Sequence, residues 1–268
     1  MLPSDAPTAG NPILSTHNLS MRFGGLLALS EVSLAVKRGS ITAIIGPNGA
    51  GKTTLFNCLT GLNNPTSGLI TYRPQEGQTV NLTHGSLDKA ARLGLARTFQ
   101  NIRLFNELTV LENVLIGLHS RLKAGLWGAL TGNKKTRAEE ALALELANDL
   151  LQKQGFGDLT KVLAKNLPYG LRKRLEITRA LAAQPTILLL DEPAAGLNGG
   201  EAQDLIKLIR EVKSEGNLTI ILIEHDMSLV MSVSDEVHAL EYGRLIASGT
   251  PAAIQRDERV IKAYLGEE

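Results

Sequence analysis

The sequence predicts an α/β fold built on a largely parallel sheet. The β-branched run Ile41-Thr42-Ala43-Ile44-Ile45 stops at a glycine-rich loop that opens a helix, and from Thr186 onward apolar strands alternate with helical segments. With 43% hydrophobic and 21% charged residues over 268 positions, the chain has the composition of a globular domain with one sizeable core. Lysine plus arginine number 28 against 27 acids, so no net field draws the molecule to nucleic acid or anionic lipid, and any anion must be bound locally. The single cysteine, Cys58, excludes an intramolecular disulfide and a cysteine-rich zinc cage, and fits a reducing compartment.

The first dozen residues are polar and irregular, reading as a loose tail without the basic start and apolar stretch of a secretory signal. Ile13 to Phe23 and Val32 to Val36 read as strands, bounded by Gly24-Gly25 and Gly39. The run 41–45 follows as a strand buried on both faces, and Lys52 onward has helix composition. Asn64 to Gly68 is a turn, Leu69 to Tyr72 a strand, and a polar hairpin-like stretch runs to about Gly85 before a short strand that ends at Gln100. Val110 to about Gln154 is helical, interrupted by a glycine-rich basic loop from Gly125 to Lys135. Leu142, Leu146 and Leu150 there repeat at four-residue spacing and are expected to face the core. The alternation then resumes: strand Ile187 to Leu190, helix Glu201 to Ser214, strand Leu218 to Ile223, helix Met227 to Val233, strand Val237 to Leu240, and one or two surface helices from Ala252 to Leu265. The longest apolar runs fall far short of the roughly 20 residues that cross a bilayer.

Two motifs carry chemistry. Gly46-Pro47-Asn48-Gly49-Ala50-Gly51-Lys52-Thr53 fits G-x-x-x-x-G-K-[ST] between a buried strand and a helix, the context of a phosphate-binding loop. Its backbone N–H groups, from Asn48 through Thr54, converge on the phosphates, Lys52 reaches the β and γ oxygens, and the Thr53 hydroxyl suits Mg²⁺. Ile187-Leu188-Leu189-Leu190-Asp191-Glu192 is an apolar strand ending in two acids. Asp191 is expected in the magnesium shell, and Glu192 polarises an attacking water as general base.

With both motifs in this order, the chain from about Ile13 resembles the nucleotide-binding subunits of ABC transporters. The resemblance implies a P-loop NTPase core of ABC type with a largely parallel sheet, an N-terminal antiparallel β region and a helical subdomain. It also implies a flexible tail over 1–12 and a single domain over 13–268, with core segments 13–100 and 184–268 and a helical subdomain over about 101–183. Ala96-Arg97-Thr98-Phe99-Gln100 matches the segment that joins core to subdomain, implying that Gln100 touches magnesium or water. His225 stands where the family has a switch histidine that contacts the γ-phosphate and Glu192, and Phe23 where an aromatic stacks on adenine. Leu167-Pro168-Tyr169-Gly170-Leu171 occupies the place of the family signature, which binds ATP from the opposite subunit; Tyr169 and Gly170 are the implied trans contacts. Pro168 removes a hydroxyl and a donor while suiting a helix start, and Leu171 replaces a glutamine. Asn198 replaces an aspartate that faces the dimer partner, and Gly199 a proline.

Those segments, with Glu224-His225-Asp226-Met227 and Val260-Ile261-Lys262-Ala263-Tyr264-Leu265-Gly266, are similar to the ATPases of branched-chain amino-acid uptake systems. The implied assembly binds ATP and Mg²⁺ and contains a second ATPase subunit, sister or self, and two transmembrane permease subunits. An external amino-acid-binding protein feeds it, nucleic acid has no part, and this chain sits peripherally at the cytoplasmic face of the membrane. The implied groove for the permease's coupling helix lies around Asn101 to Glu112. Other solutes, such as another amino acid or a urea-like molecule, and a regulatory subunit that binds ATP with weak hydrolysis remain open. A soluble ABC-type ATPase working on DNA or ribosomes would carry tandem cores, long coiled coils or zinc-binding cysteines, none of which the sequence has.

Overall fold

The computed structural model describes residues 12–119, 134–214 and 218–265. β1 (Leu14–Phe23) pairs antiparallel with β2 (Leu26–Val36), and β4 (Ser67–Tyr72) and β5 (Val80–Asn81) complete a four-stranded sheet in the order β2-β1-β4-β5. β2 starts earlier than the sequence suggested because Leu26 and Leu27 are both exposed, so the alternation that marks a half-buried strand is missing at that end.

The second sheet runs β10-β9-β3-β8-β7-β6 and comprises β3 (Ile41–Ile45), β6 (Leu95–Arg97), β7 (Ile187–Asp191), β8 (Thr219–Ile223), β9 (Glu236–Glu241) and β10 (Arg244–Gly249). All neighbours are parallel except β10, which folds back on β9. Every residue of β3, β7 and β8 is buried, which is why these strands read as unbroken apolar runs. Their parallel pairing brings the carboxyl ends of β3, β8 and β7 to one edge, where ligands bind in sheets of this kind. β6 ends at Arg97 rather than at the expected Gln100. Thr98 still donates its N–H to Leu189, but beyond it the chain is drawn away by contacts to the signature helix described below.

Helices close both faces. α1 (Lys52–Leu59) places Leu55, Phe56 and Leu59 between the two sheets, and α2 (Leu87–Arg92), capped by Ser86, lies beside β6. α3 (Val110–His119), α4 (Lys134–Lys153) and α5 (Tyr169–Ala182) surround a separate apolar cluster that includes Val114, Leu151, Phe156 and Leu175. α6 (Gly199–Ser214), α7 (Met227–Val233), α8 (Pro251–Ile254) and α9 (Glu258–Leu265) cover the far face of the parallel sheet through residues such as Leu208, Leu229, Ile254 and Val260. The expected tail, apart from Pro12, and most of the loop expected over 125–135 lie outside the described residues. No described helix is long and apolar enough to cross a membrane.

Of the leucine stripe on α4, only the half-buried Leu150 packs against the apolar cluster of α3 to α5; the other two leucines do not face the core. Leu142 is 50% and Leu146 36% exposed, while Ala143, Ala147 and Leu151, one position further on, are buried with Val110, Val114 and Leu118 of α3. Small residues let two helices approach closely, so the buried face here is marked by alanines rather than by the bulkiest side chains. Leu142→Lys is therefore expected to leave the urea midpoint of the protein unchanged, whereas Leu151→Ala should lower stability by about 2–5 kcal/mol. Equal effects of the two substitutions in urea denaturation would return the leucine stripe to the core.

Candidate functional site

The loop between β3 and α1 is shaped by its neighbours. Gly46 has φ +148°, and a Cβ there would run into the Leu240 carbonyl; Gly51, the N-cap of α1 at φ +97°, would bring a Cβ to 2.6 Å from the Ala28 oxygen. Only glycine fits both places. Asn48, Gly49 and Thr53 are exposed, Thr54 is half-buried, and Ala50 is buried with its N–H on the Pro47 carbonyl at 3.2 Å. The buried Lys52 folds over the loop, its Nζ donating to the carbonyls of Gly46 (2.6 Å) and Pro47 (2.9 Å). Burial pushes its pKa down, and the charges of Glu192 and Asp191 push it back up. Loop and acids, 140 residues apart in sequence, thus share one electrostatic environment. Phe23 ends β1 with 46% of its surface exposed.

Asp191 is committed to a partner that sequence reasoning missed. Arg97 donates to its Oδ2 at 2.7 Å in a pair whose side chains are only 7% and 5% exposed. The same guanidinium donates to Asn57 Oδ1 at 2.7 Å and lies over the rings of Phe56 and Phe99. The available signal was a lone cation closing the apolar strand β6, which is in register with β7.

Glu192 follows with φ +47°, a left-handed conformation that costs a non-glycine residue about 1–3 kcal/mol and persists only where the surroundings impose it. Its N–H donates to Ile223 (3.0 Å), and its Oε2 accepts from Gln100 Nε2 at 2.9 Å. The structure thus brings Gln100 and Glu192 together. No three His, Cys, Asp or Glu side chains cluster as a metal site among the described residues. A cation held here would draw on the Thr53 hydroxyl, the Gln100 amide oxygen, one carboxylate and water, an oxygen set whose chemistry would suit Mg²⁺ better than zinc.

His225 does not meet Glu192: no hydrogen bond or ion pair joins them among the described residues. Its side chain is 59% exposed, with Nδ1 3.9 Å from Glu224 Oε2. Glu224 is the buried member of the pair and was also missed. It accepts from the backbone N–H groups of Ala194 (2.7 Å), His225 (3.1 Å) and Asp226 (3.4 Å), tying the segment after β7 to the segment after β8. Burial pushes the Glu224 carboxyl above the usual range, and those three donors pull it back. Its visible signal was an acid directly after an all-apolar strand, the pattern that marks Asp191.

At the signature, Pro168 is the N-cap of α5, one place before the first turn where proline was expected, and supplies no side-chain acceptor. Tyr169 is 43% exposed and donates its hydroxyl to the Ala195 carbonyl at 3.2 Å; Gly170 abuts Glu201, where a Cβ would lie 2.5 Å from Oε1. Leu171 packs against the cluster under α3 to α5. Asn198 caps α6: its Oδ1 accepts from the Glu201 N–H, and Glu201 accepts from the Asn198 N–H, both at 3.0 Å.

The chain matches the family model described as ABC transporter over residues 29–195, and one described as branched-chain amino acid ATP-binding cassette transporter over 244–268. It is 47% identical over 256 residues to the high-affinity branched-chain amino acid transport ATP-binding protein LivG of Salmonella typhimurium, covering 96% of this chain and 98% of that one. BraF of Pseudomonas aeruginosa, with the same description, shows the same identity and coverage. Among solved structures, a nucleotide-free ATP-binding cassette from an ABC transporter superposes with a TM-score of 0.80 at 33% identity, over 95% of this chain and 99% of that one. The ADP conformation of MJ1267, an ATP-binding cassette of an ABC transporter, gives 0.80 at 31% with the same coverage.

Removing the guanidinium from the Arg97–Asp191 pair leaves a buried carboxylate uncompensated. Arg97→Met is expected to destabilise the fold by about 3–5 kcal/mol in urea denaturation, and adding Asp191→Asn should recover part of that loss by removing the stranded charge. A single-variant loss below about 0.5 kcal/mol would show that solvent already screens the pair.

Proposed function

Since the chain belongs to the ATP-binding subunits of ABC transporters, we propose that it hydrolyses ATP at a site shared with a second ATPase subunit and so powers uptake of branched-chain amino acids through two permease subunits. The observation that carries this reading is the convergence of Lys52, Asp191, Glu192 and Gln100 at one sheet edge, with the Gln100 amide on the Glu192 carboxylate. The likeness to LivG and BraF over nearly the whole chain supports the solute class.

ATP enters along the mouth of the loop, with adenine on the exposed Phe23 ring. The N–H groups from Asn48 to Thr54 and the dipole of α1 receive the phosphates, and Lys52 exchanges its loop carbonyls for anionic oxygens. Magnesium, when bound by Thr53, Gln100 and Asp191, neutralises charge on the phosphate oxygens. Glu192, oriented by Gln100, takes a proton from the attacking water. His225, exposed, with its N–H on Glu224 and its Nδ1 3.9 Å from the same carboxylate, turns from Glu224 toward the γ-phosphate. The N–H groups of Tyr169 and Gly170 at the start of α5 face the nucleotide held by the partner subunit, and Pro168 leaves that contact without a hydroxyl. ATP must favour the paired state over the open one, while ADP must not.

A recess of about 550 Å³ lies between the segment after β6 and the helical region, lined by Phe99, Arg103, Leu104, Phe105, Ile116 and Arg179. Phe105 is 50% and Ile116 39% exposed, an apolar floor with a cationic rim that suits an amphipathic coupling helix of a permease. On this reading the chain sits at the cytoplasmic face of the membrane, outside the lipid.

In the transporter purified from membranes, Glu192→Gln is expected to lower ATP turnover by about 10²–10⁴ while leaving nucleotide bound. Lys52→Ala should weaken ATP binding and stop uptake. Wild-type turnover in Glu192→Gln, or wild-type uptake in cells carrying only Lys52→Ala, would remove the site assignment. Ile116→Asp, which puts a charge on the recess floor, is expected to abolish co-purification with the permeases while leaving the fold intact by circular dichroism. Unimpaired co-purification would move the docking surface elsewhere.

A further inference from the structure

Lys173, on the second turn of α5, is 3% exposed. Its Nζ donates to the backbone carbonyls of Gln100 (3.0 Å) and Glu192 (3.4 Å), the two residues whose side chains meet at 2.9 Å. One ammonium thus holds the main chain of both partners. Two further residues of α5 fasten the same segment. Glu176 accepts from the Arg103 N–H at 3.0 Å, and the Arg179 guanidinium lies 5.7 Å from the Phe105 ring centre. Of the three, Lys173 also reaches the segment after β7.

The backbone of Glu192 needs such a restraint. At φ +47° it relaxes unless held, and its restraints among the described residues are four: its N–H on Ile223, its carboxylate under Gln100, its carbonyl under the Ala195 N–H (3.2 Å), and the same carbonyl under Lys173. Only the last comes from the helix that begins at the signature.

We propose that Lys173 is a positioning residue for ATP hydrolysis, clamping the carbonyls of Gln100 and Glu192 so that the general base is aligned only when α5 sits correctly against the core. The inference rests on Glu192 acting as that base. Lys173 touches no nucleotide-binding residue of the phosphate loop, so its effect belongs to the chemical step and not to ATP affinity. Burial lowers its pKa, and the carboxylates of Glu176, Glu224, Asp191 and Glu192 raise it again, so charge pairing offsets part of the penalty for burying the ammonium there.

The test compares steady-state hydrolysis in the transporter purified from membranes. Lys173→Met is expected to lower kcat about tenfold or more with the KM for ATP within about twofold of wild type, and Lys173→Arg, which keeps charge and donors, to restore most of kcat. An unchanged kcat in Lys173→Met, a change confined to KM, or an arginine variant no better than methionine would overturn the proposal. If Lys173→Met does not accumulate, Lys173→Gln, with one amide donor and no charge, takes its place: intermediate kcat at constant KM supports the clamp, and wild-type kcat rejects it. Glu192→Gln, measured alongside, separates the two levels. Residual wild-type turnover there removes the base itself, whereas full loss there beside a wild-type Lys173→Met removes only the positioning role.

Discussion

Charge compensation at one edge of a parallel sheet governs this structure. The carboxyl ends of β3, β7 and β8 bring Lys52, Asp191, Glu192 and Glu224 into a region where Lys52, Asp191 and Glu224 are buried. An unpaired charge removed from water costs several kcal/mol, so each member needs a partner. Arg97 answers Asp191, backbone N–H groups answer Glu224, and loop carbonyls hold Lys52. Glu192 is the exception: it is half-exposed, and its carboxylate accepts from the Gln100 amide.

The same compensation ties the molecule together mechanically. Glu224 binds the segment after β7 to the segment after β8, so displacement of His225 is felt at Ala194 and hence near Glu192. Lys173, Glu176 and Arg179 reach from α5 to the segment after β6, which forms one wall of the recess that suits a permease helix. These contacts form a short path between the recess and the sheet edge. Tyr169 leans on Ala195 and Glu201 caps α6 beside Gly170, so the signature and the Asn198 segment form one unit.

The features missed in the sequence share a cause. β10 and α2 are short and only partly apolar, so neither periodicity nor run length exposes them. The buried face of α4 is written in alanines, which hydrophobicity ranks below the exposed leucines beside them. Gln100 fell outside its expected strand because its position is fixed by Lys173, 73 residues later, and not by its own neighbours.

By itself the sequence determined the strand–loop–helix that cradles phosphate, the acid-terminated strand, the buried parallel core and the order in which they occur. Each of these is set by local spacing: a glycine where the chain must turn or closely approach its neighbour, a run of branched residues where both faces are covered, an acid where a strand leaves the sheet. Only the tertiary structure decided which charges meet. Arg97 with Asp191, Glu224 with the backbone of Ala194, and Lys173 with the carbonyls of Gln100 and Glu192 are pairings between segments distant in sequence. Their identity depends on how far each group is removed from water, a property of the folded whole that no stretch of letters carries.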